Sequence, residues 1–122
     1  MIKKIAFVSF RSKDTAADQR FFHEQLGLPI TASHEHDNLK WIEFDTPDGK
    51  TIAIEEFSPE GNPPTLALET DDIAAEVARL KELGVPFHGD IQDNKVCKMA
   101  FTQTPSGHPI MLHEIAPERA KG

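Results

Sequence analysis

Residues 14–29 read DTAADQRFFHEQLGLP, and residues 71–86 read DDIAAEVARLKELGVP. The two stretches share five residues at matching places, each pair 57 positions apart: Asp14/Asp71, Ala17/Ala74, Leu26/Leu83, Gly27/Gly84 and Pro29/Pro86. In each copy an aspartate suited to capping a helix precedes apolar residues at helical spacing, and a glycine followed by a proline ends the run. In the second copy either Asp71 or Asp72 can serve as the cap. The repeat therefore predicts two helices of one design.

A second repeat follows each helix. The turn 47–49 (PDG) and the strand-like run 52–56 (IAIEE) return 58 positions later as 105–107 (PSG) and 110–114 (IMLHE). Other strands are predicted at 5–10, 39–46, 65–70, 86–92 and 95–103, while 33–38 predicts a loop or a weak strand edge. The pattern predicts an α+β fold of two tandem β-α-β-β-β modules in a single domain, 1–122. We place module one at 1–58, a proline-containing linker at 59–64 and module two at 65–116.

Composition excludes several classes of protein. A chain of 122 residues is long enough for one domain with a core. Its net charge of −7 disfavours nucleic acid and anionic membranes as partners. The run Ile5–Phe10 is too short for a signal peptide or a membrane span. The single cysteine, Cys97, excludes an internal disulfide, so we expect a cytoplasmic protein. Cys97 itself is either an inert strand residue or a catalytic thiol.

These motifs carry a specific resemblance. Asp14, Phe21-Phe22, Leu26-Gly27 and Asp71, with Leu83-Gly84-Val85 and the run 104–110 (TPSGHPI), make nearly the whole chain resemble the vicinal oxygen chelate superfamily. That superfamily includes glyoxalase I, extradiol dioxygenases and bleomycin resistance proteins, and Thr104 stands where it commonly has aspartate. The resemblance implies a half-open barrel around a central cavity, with the helices outside, and a homodimer. It leaves function open because the fold hosts enzymes and binding proteins.

Strand alternation then sorts side chains toward or away from the implied cavity. If Val8 and Phe10 pack beneath the helix, their neighbours on the same strand point into the cavity. We predict a ligand-binding set in this way: Phe7, Ser9, Arg11, Thr65, Ala67, Glu69 and Met111. The same alternation turns Ala53, Glu55 and His113 inward.

The resemblance also implies four metal-ligand positions, which in this sequence are Phe7, Thr65, Met111 and either Ala53 or Glu55. Phenylalanine and methionine bring no hard donor for a divalent ion, and one threonine hydroxyl cannot hold it alone. We therefore expect no metal ion at this place and no other cofactor. Phe7 and Met111 would instead make the cavity floor apolar, either as a ligand-lining surface or simply as core.

Two pairs could supply chemistry. Glu55 and His113 hold equivalent places in the two halves, and a carboxylate and an imidazole lining one cavity could act as a catalytic acid–base pair, help to assemble a displaced metal site, or sit solvated at strand ends. Arg11 could grip an anionic ligand bidentately or pair with Glu69.

We predict a metal-independent protein that binds a small molecule as a homodimer, with neither nucleic acid nor membrane as a partner. The alternative is a lyase, isomerase or dioxygenase of the same superfamily that uses a noncanonical divalent-metal site or the Glu55/His113 pair. A third hypothesis is a regulatory subunit that works through its surface.

Overall fold

The computed structural model describes residues 1–117 and confirms the α+β fold with two β-α-β-β-β modules in tandem. Two compact units are formed by Phe7–Pro64 and by Met1–Ala6 together with the chain from Thr65 onward. We call them the first half and the second half. Within residues 1–117, no helix combines the length and the apolar character needed to cross a bilayer.

The first half contains four strands and one helical segment. Its elements are β1 (Ile2–Arg11) from Phe7 onward, α1 (Thr15–Gln19) with a following π-helical turn (Arg20–Gln25), β2 (Ile30–His36), β3 (Leu39–Asp45) and β4 (Thr51–Glu55). The strand order is β2–β3–β4–β1, with β1 parallel to β4 and the other neighbours antiparallel.

The second half repeats this plan. Its elements are β5 (Thr65–Thr70), α2 (Ile73–Glu82), β6 (Gln92–Asp93), β7 (Cys97–Gln103) and β8 (Pro109–Ile115). The strand order is β5–β8–β7–β6, with β5 parallel to β8 and the other neighbours antiparallel.

Both predicted helix starts and ends are confirmed. The Asp14 carboxylate accepts a hydrogen bond from the Ala17 amide at 3.1 Å, and Asp72 accepts one from Ala75 at the same distance, so Asp72 is the cap of α2. Gly27 and Gly84 follow the helical segments with φ angles of 77° and 88°, a left-handed conformation that favours glycine.

In each half one face of the strands is buried beneath the helical segment. In the first half Ile42, Phe44 and Ile54 form a core that packs with Phe10 and Phe22. In the second half the corresponding core joins α2 to the strands through Ile73, Val77, Ala100 and Leu112. The strand residues of both cores have even numbers, and partners among β1, β3 and β4, and among β5, β7 and β8, have the same parity. The odd-numbered residues of these six strands therefore occupy the opposite surface, which we call the helix-free face of each half.

One local prediction differs from the structure. The predicted strand at 86–92 is wrong except for its last residue, because Pro86 has no amide hydrogen to donate and Gly89 turns the chain with a φ of 78°. The prediction of a loop or a weak strand edge at 33–38 is confirmed, since 33–36 lie in β2 at the edge of the strand order and 37–38 form a turn. Their polar composition reflects an edge strand whose side chains are exposed to water.

Candidate functional site

A buried acid–base pair lies on the helix-free face of the second half. Glu69 on β5 and His113 on β8 are direct partners in the parallel register. The His113 Nδ1 atom lies 2.6 Å from the Glu69 Oε1 atom, and the two side chains are only 12% and 10% exposed. The other carboxylate oxygen of Glu69 accepts a hydrogen bond from the Ile115 amide at 2.9 Å. The carboxylate is thus held from two directions and fixes one side of the imidazole ring.

This environment changes the proton affinity of His113. Burial of the ring lowers the pKa of His113, but hydrogen bonds with Cys97 and with Glu69 favour the imidazolium and outweigh burial. The pKa of His113 therefore lies above its ordinary value of 6.5. Because its protonated form is favoured, the His113 ring is suited to hold a proton and to donate a charge-assisted hydrogen bond.

Cys97 completes a row of three functional groups. It lies on β7, opposite Ile115, while Met99 two residues later is opposite His113. Cys97 and His113 are therefore diagonal neighbours on one face. Sequence reasoning left Cys97 open between an inert residue and a catalytic thiol. The alternation of Cys97 and Met99 along β7 indicates that the two side chains share a face, but only the register with β8 places Cys97 beside His113.

The corresponding pair in the first half, Arg11 and Glu55, is also aligned in a parallel register. Glu55 is only 7% exposed, and its Oε1 atom accepts hydrogen bonds from the amides of Phe57 and Ser58 at 2.7 and 2.9 Å. Its Oε2 atom accepts a third hydrogen bond from the Ser58 hydroxyl at 2.6 Å. The Glu55 carboxylate therefore holds the turn that follows β4.

Arg11 binds the same turn. Its Nε atom donates to the Ser58 carbonyl oxygen at 2.6 Å, and its guanidinium also donates to the carbonyl oxygen of Ser12. The Ser12 amide donates to the Glu55 carbonyl oxygen at 2.9 Å. Both ends of the aligned pair are thus engaged in local backbone structure.

Aromatic residues cover part of the helix-free face of the first half. The rings of Phe7 and Trp41 meet edge to face with centroids 5.4 Å apart, and the indole nitrogen of Trp41 donates to Glu43 at 2.7 Å. Phe44 points to the other side of β3 and is fully buried in the core beneath the helix. The register thus puts Trp41 and Glu43 on the same face as Phe7. Ser9 on β1 and Ala53 on β4 are register partners, and both are buried.

The corresponding face of the second half is apolar beside its acid–base pair. Ala67 and Met111 are buried register partners, and Phe101 on β7 lies directly opposite Met111. Thr65, at the start of β5, is partly buried. An apolar surface therefore lies next to a titratable group on a single sheet face.

The four positions at which the resemblance implies metal ligands do not suit a divalent cation. Phe7 and Ala53 have no donor atom, Met111 offers only a soft thioether, and both oxygens of Glu55 already accept hydrogen bonds. Across residues 1–117, no three or more His, Cys, Asp or Glu side chains are grouped so that they could hold a metal ion. The side chains at these positions therefore do not supply the donor atoms that a divalent cation needs.

Comparison with known proteins identifies the family. The family model described as "Glyoxalase/Bleomycin resistance protein/Dioxygenase superfamily" matches residues 4–112. No curated protein sequence matches the chain.

Several solved structures share the fold at low sequence identity. A methylmalonyl-CoA epimerase from Mycobacterium tuberculosis is 20% identical, with a TM-score of 0.81 over 96% of this chain and 91% of that one. A variant of the Streptomyces coelicolor methylmalonyl-CoA epimerase, in complex with 2-nitronate-propionyl-CoA, is 16% identical, with a TM-score of 0.76 over 95% and 99%. A superfamily member from Vibrio splendidus 12B01 is 20% identical, with a TM-score of 0.67 over 93% and 99%. With the family model matching most of its length, the chain belongs to the glyoxalase/bleomycin resistance protein/dioxygenase superfamily.

Proposed function

We propose that this protein binds a small organic molecule on the helix-free face of its second half without a divalent metal ion. The observation that carries this proposal is the buried His113–Glu69 hydrogen bond of 2.6 Å beside the apolar surface of Ala67, Phe101 and Met111. Such a combination suits a ligand with an apolar body and one carbonyl or carboxylate oxygen, because a few placed polar groups orient a ligand in a mostly apolar site.

His113 provides the polar contact in this proposal. Its imidazolium form is favoured by Glu69 and Cys97, and it can donate a charge-assisted hydrogen bond to an oxygen atom of the ligand. Thr65 would line the apolar end of the same face. On the first half, Phe7, Ser9 and Arg11 remain proposed ligand contacts, with the qualification that Arg11 already binds the backbone of Ser58.

The proposed metal independence rests on the donor chemistry of the chain. Ligand affinity should be unchanged when the purified protein is treated with EDTA or supplied with Mg²⁺, Mn²⁺, Ni²⁺ or Zn²⁺. Elemental analysis of the same sample provides an independent check. A stoichiometric divalent ion, together with loss of affinity on chelation, would contradict this part of the proposal.

Binding can be tested by amide NMR with a panel of aliphatic and aromatic carboxylates and acyl-CoA thioesters. We expect a binding compound to shift the amide signals of Ala67, Met99, Met111 and His113. His113→Gln should weaken its affinity about tenfold, because a charge-assisted hydrogen bond contributes about 1.5–3 kcal/mol. His108→Gln, at an exposed turn residue, is the matched control. Signals that shift elsewhere, or equal affinities of both variants, would overturn the site.

A second candidate function is proton transfer at a carbon next to a carbonyl group, an isomerase-type reaction. The His113–Glu69 pair favours it, because an imidazole held by a carboxylate can accept a proton from a bound ligand and return it. The two epimerases of similar fold support this class of reaction. Incubation of methylmalonyl-CoA in D₂O tests it: exchange of the α-proton should occur with the native protein and stop with His113→Ala. Absence of exchange with the native protein would leave reversible binding as the function.

The Glu55 carboxylate remains a proposed partner in such a reaction, although its hydrogen bonds to Ser58 point to a structural role. Glu55→Gln should therefore be assayed for both exchange and stability. A homodimer is likewise proposed from the resemblance alone, and light scattering during gel filtration would test it.

A further inference from the structure

Three potentially reactive side chains lie in line across three adjacent strands of the second half. Glu69 on β5 aligns with His113 on β8, and Cys97 on β7 is the diagonal neighbour of His113 on the same face. The Nδ1 atom of His113 lies 2.6 Å from the Glu69 carboxylate, and the β7–β8 register places Cys97 next to the same ring. This is the order of groups in a nucleophile–histidine–carboxylate triad, in which the carboxylate orients the ring and the ring serves the nucleophile.

Exposure differs along this row in a way that suits reactivity. Glu69 and His113 are nearly buried, whereas Cys97 is partly exposed. Cys97 also lines a cleft with a volume of about 460 Å³, together with Lys95, Lys98 and Glu114. Cys97 is thus partly open to solvent at the border of this cleft, while the base and its orienting carboxylate are nearly buried. The thiol thus combines access with an adjacent base, which distinguishes it from an inert strand cysteine.

We propose that Cys97 is a nucleophile, served by His113 and positioned by Glu69, that forms a thioether with α,β-unsaturated carbonyl compounds. This proposal shares the His113–Glu69 pair with the proposed function but goes beyond reversible binding.

The reaction balances without a co-reactant. The thiol proton passes to the imidazole of His113 as the sulfur bonds to the β-carbon of the acceptor. The π electrons of the carbon–carbon double bond move to the α-carbon as an enolate. The imidazolium then returns the proton to that carbon, so the product is a simple adduct and His113 is regenerated. Glu69 does not touch the reacting atoms and acts as a positioning residue.

The pH dependence follows from the state of His113. Below its pKa the ring already carries a proton and cannot accept another, so the rate is low, and it rises as the pH passes through that raised pKa. The charged groups nearby are Glu69 from β5, which binds His113, and the residues that line the cleft with Cys97: Asp93 from β6, Lys95 after it, Lys98 from β7 and Glu114 from β8.

The test uses N-ethylmaleimide as the probe and follows adduct formation at Cys97 by mass spectrometry across the pH range, with glutathione as a reference thiol. Near neutral pH we expect the native protein to react about tenfold faster than His113→Ala. This rate ratio is smaller than the usual contribution of a general base. Glu69→Gln should slow the reaction and move the rise in rate to lower pH, because one group that raises the pKa of His113 is lost. His108→Ala should react like the native protein.

Equal rates and pH profiles for the native protein, His113→Ala and glutathione would overturn the proposal. His113→Gln, which retains a polar side chain of similar length, guards against misreading a folding defect, and amide NMR checks the fold of each variant. The two proposals fail separately. Cys97→Ser should lose the adduct, and continued reversible binding of carboxylates by that variant would support the proposed function alone.

Discussion

The two halves of this protein put a polar pair at equivalent places and use it differently. In the first half, Glu55 accepts three hydrogen bonds from the turn at Phe57 and Ser58, and Arg11 binds the same turn. In the second half, Glu69 and His113 bind each other. The same module can therefore hold a structural pair in one copy and an acid–base pair in the other. The difference depends on whether the following turn offers hydrogen bonds to the carboxylate, as it does for Glu55.

Among the substitutions that test this comparison, we expect the one at Glu55 to change the free energy of unfolding most. Glu55→Leu should lower the free energy of unfolding by about 3 kcal/mol, because it leaves two amides and a hydroxyl near the turn without their acceptor. Urea denaturation followed by circular dichroism measures this change. Glu60→Leu, at an exposed position that follows the same turn, is the control. A loss below about 1 kcal/mol at Glu55 would show that the first-half pair is not an anchor.

The helices offer a second contrast between the halves. Glu76 on α2 is buried and binds Arg79 at 2.8 Å and the Met1 amino group at 3.2 Å, whereas the corresponding residue of α1 is Gln19. The hydrogen bond from Arg79, followed by that from the amino group, lowers the pKa of Glu76 from 4.5 to about 2.

Glu76→Gln should cost about 1–2 kcal/mol of stability at neutral pH, because charge-assisted hydrogen bonds are lost. The folded-state pKa is lowered, so this contribution is present above about pH 4.5 and disappears as the pH falls toward 2. Urea titrations at both ends of this range measure it, with Glu82→Gln on the exposed side of α2 as control. A pH-independent difference between native protein and Glu76→Gln would contradict the ionic origin.

His113 should show the opposite dependence on pH. Because its folded-state pKa is raised, its contribution to stability is fully present below 6.5 and is lost as the pH rises through the raised value. His113→Gln should therefore destabilise the protein by about 1 kcal/mol in mild acid and by less in mild alkali. A histidine NMR titration of the native protein provides the pKa directly. A measured pKa of His113 below 6.5 would show that Glu69 does not stabilise the imidazolium form.

The smallest expected effect is at Trp41. Trp41→Phe should cost about 0.5–1 kcal/mol, because it loses the hydrogen bond to Glu43 and keeps an aromatic contact with Phe7. Circular dichroism must report unfolding, since Trp41 is the only tryptophan. A Met99→Leu variant at the corresponding place in the second half should change stability less. A cost at Met99 as large as that at Trp41 would show that both halves depend equally on this position.

Much of the fold was predictable because its determinants are local. The caps at Asp14 and Asp72, the left-handed glycines Gly27 and Gly84, and the alternation along β1 each depend on a few neighbouring residues. The strand predicted at 86–92 was wrong because Pro86 and Gly89, two local signals against a strand, interrupt a short segment with only two apolar side chains, Phe87 and Ile91. The helix-free faces followed from alternation alone.

The partners at the site were less predictable. Sequence symmetry related Glu55 to His113, yet the Glu55 carboxylate accepts hydrogen bonds from Phe57 and Ser58, two and three residues away. His113 forms a hydrogen bond with Glu69, 44 residues away. Only the alignment of β7 with β8 placed Cys97 beside His113.

The sequence by itself determined two copies of one module, their caps and turns, and which side chains share a sheet face, because propensity, capping and the two-residue period act over short distances. It also showed that a divalent ion would find few donors at the places the family uses. Only the tertiary structure decided that Glu69, His113 and Cys97 stand side by side, because strand register depends on hydrogen bonds between segments distant in the chain.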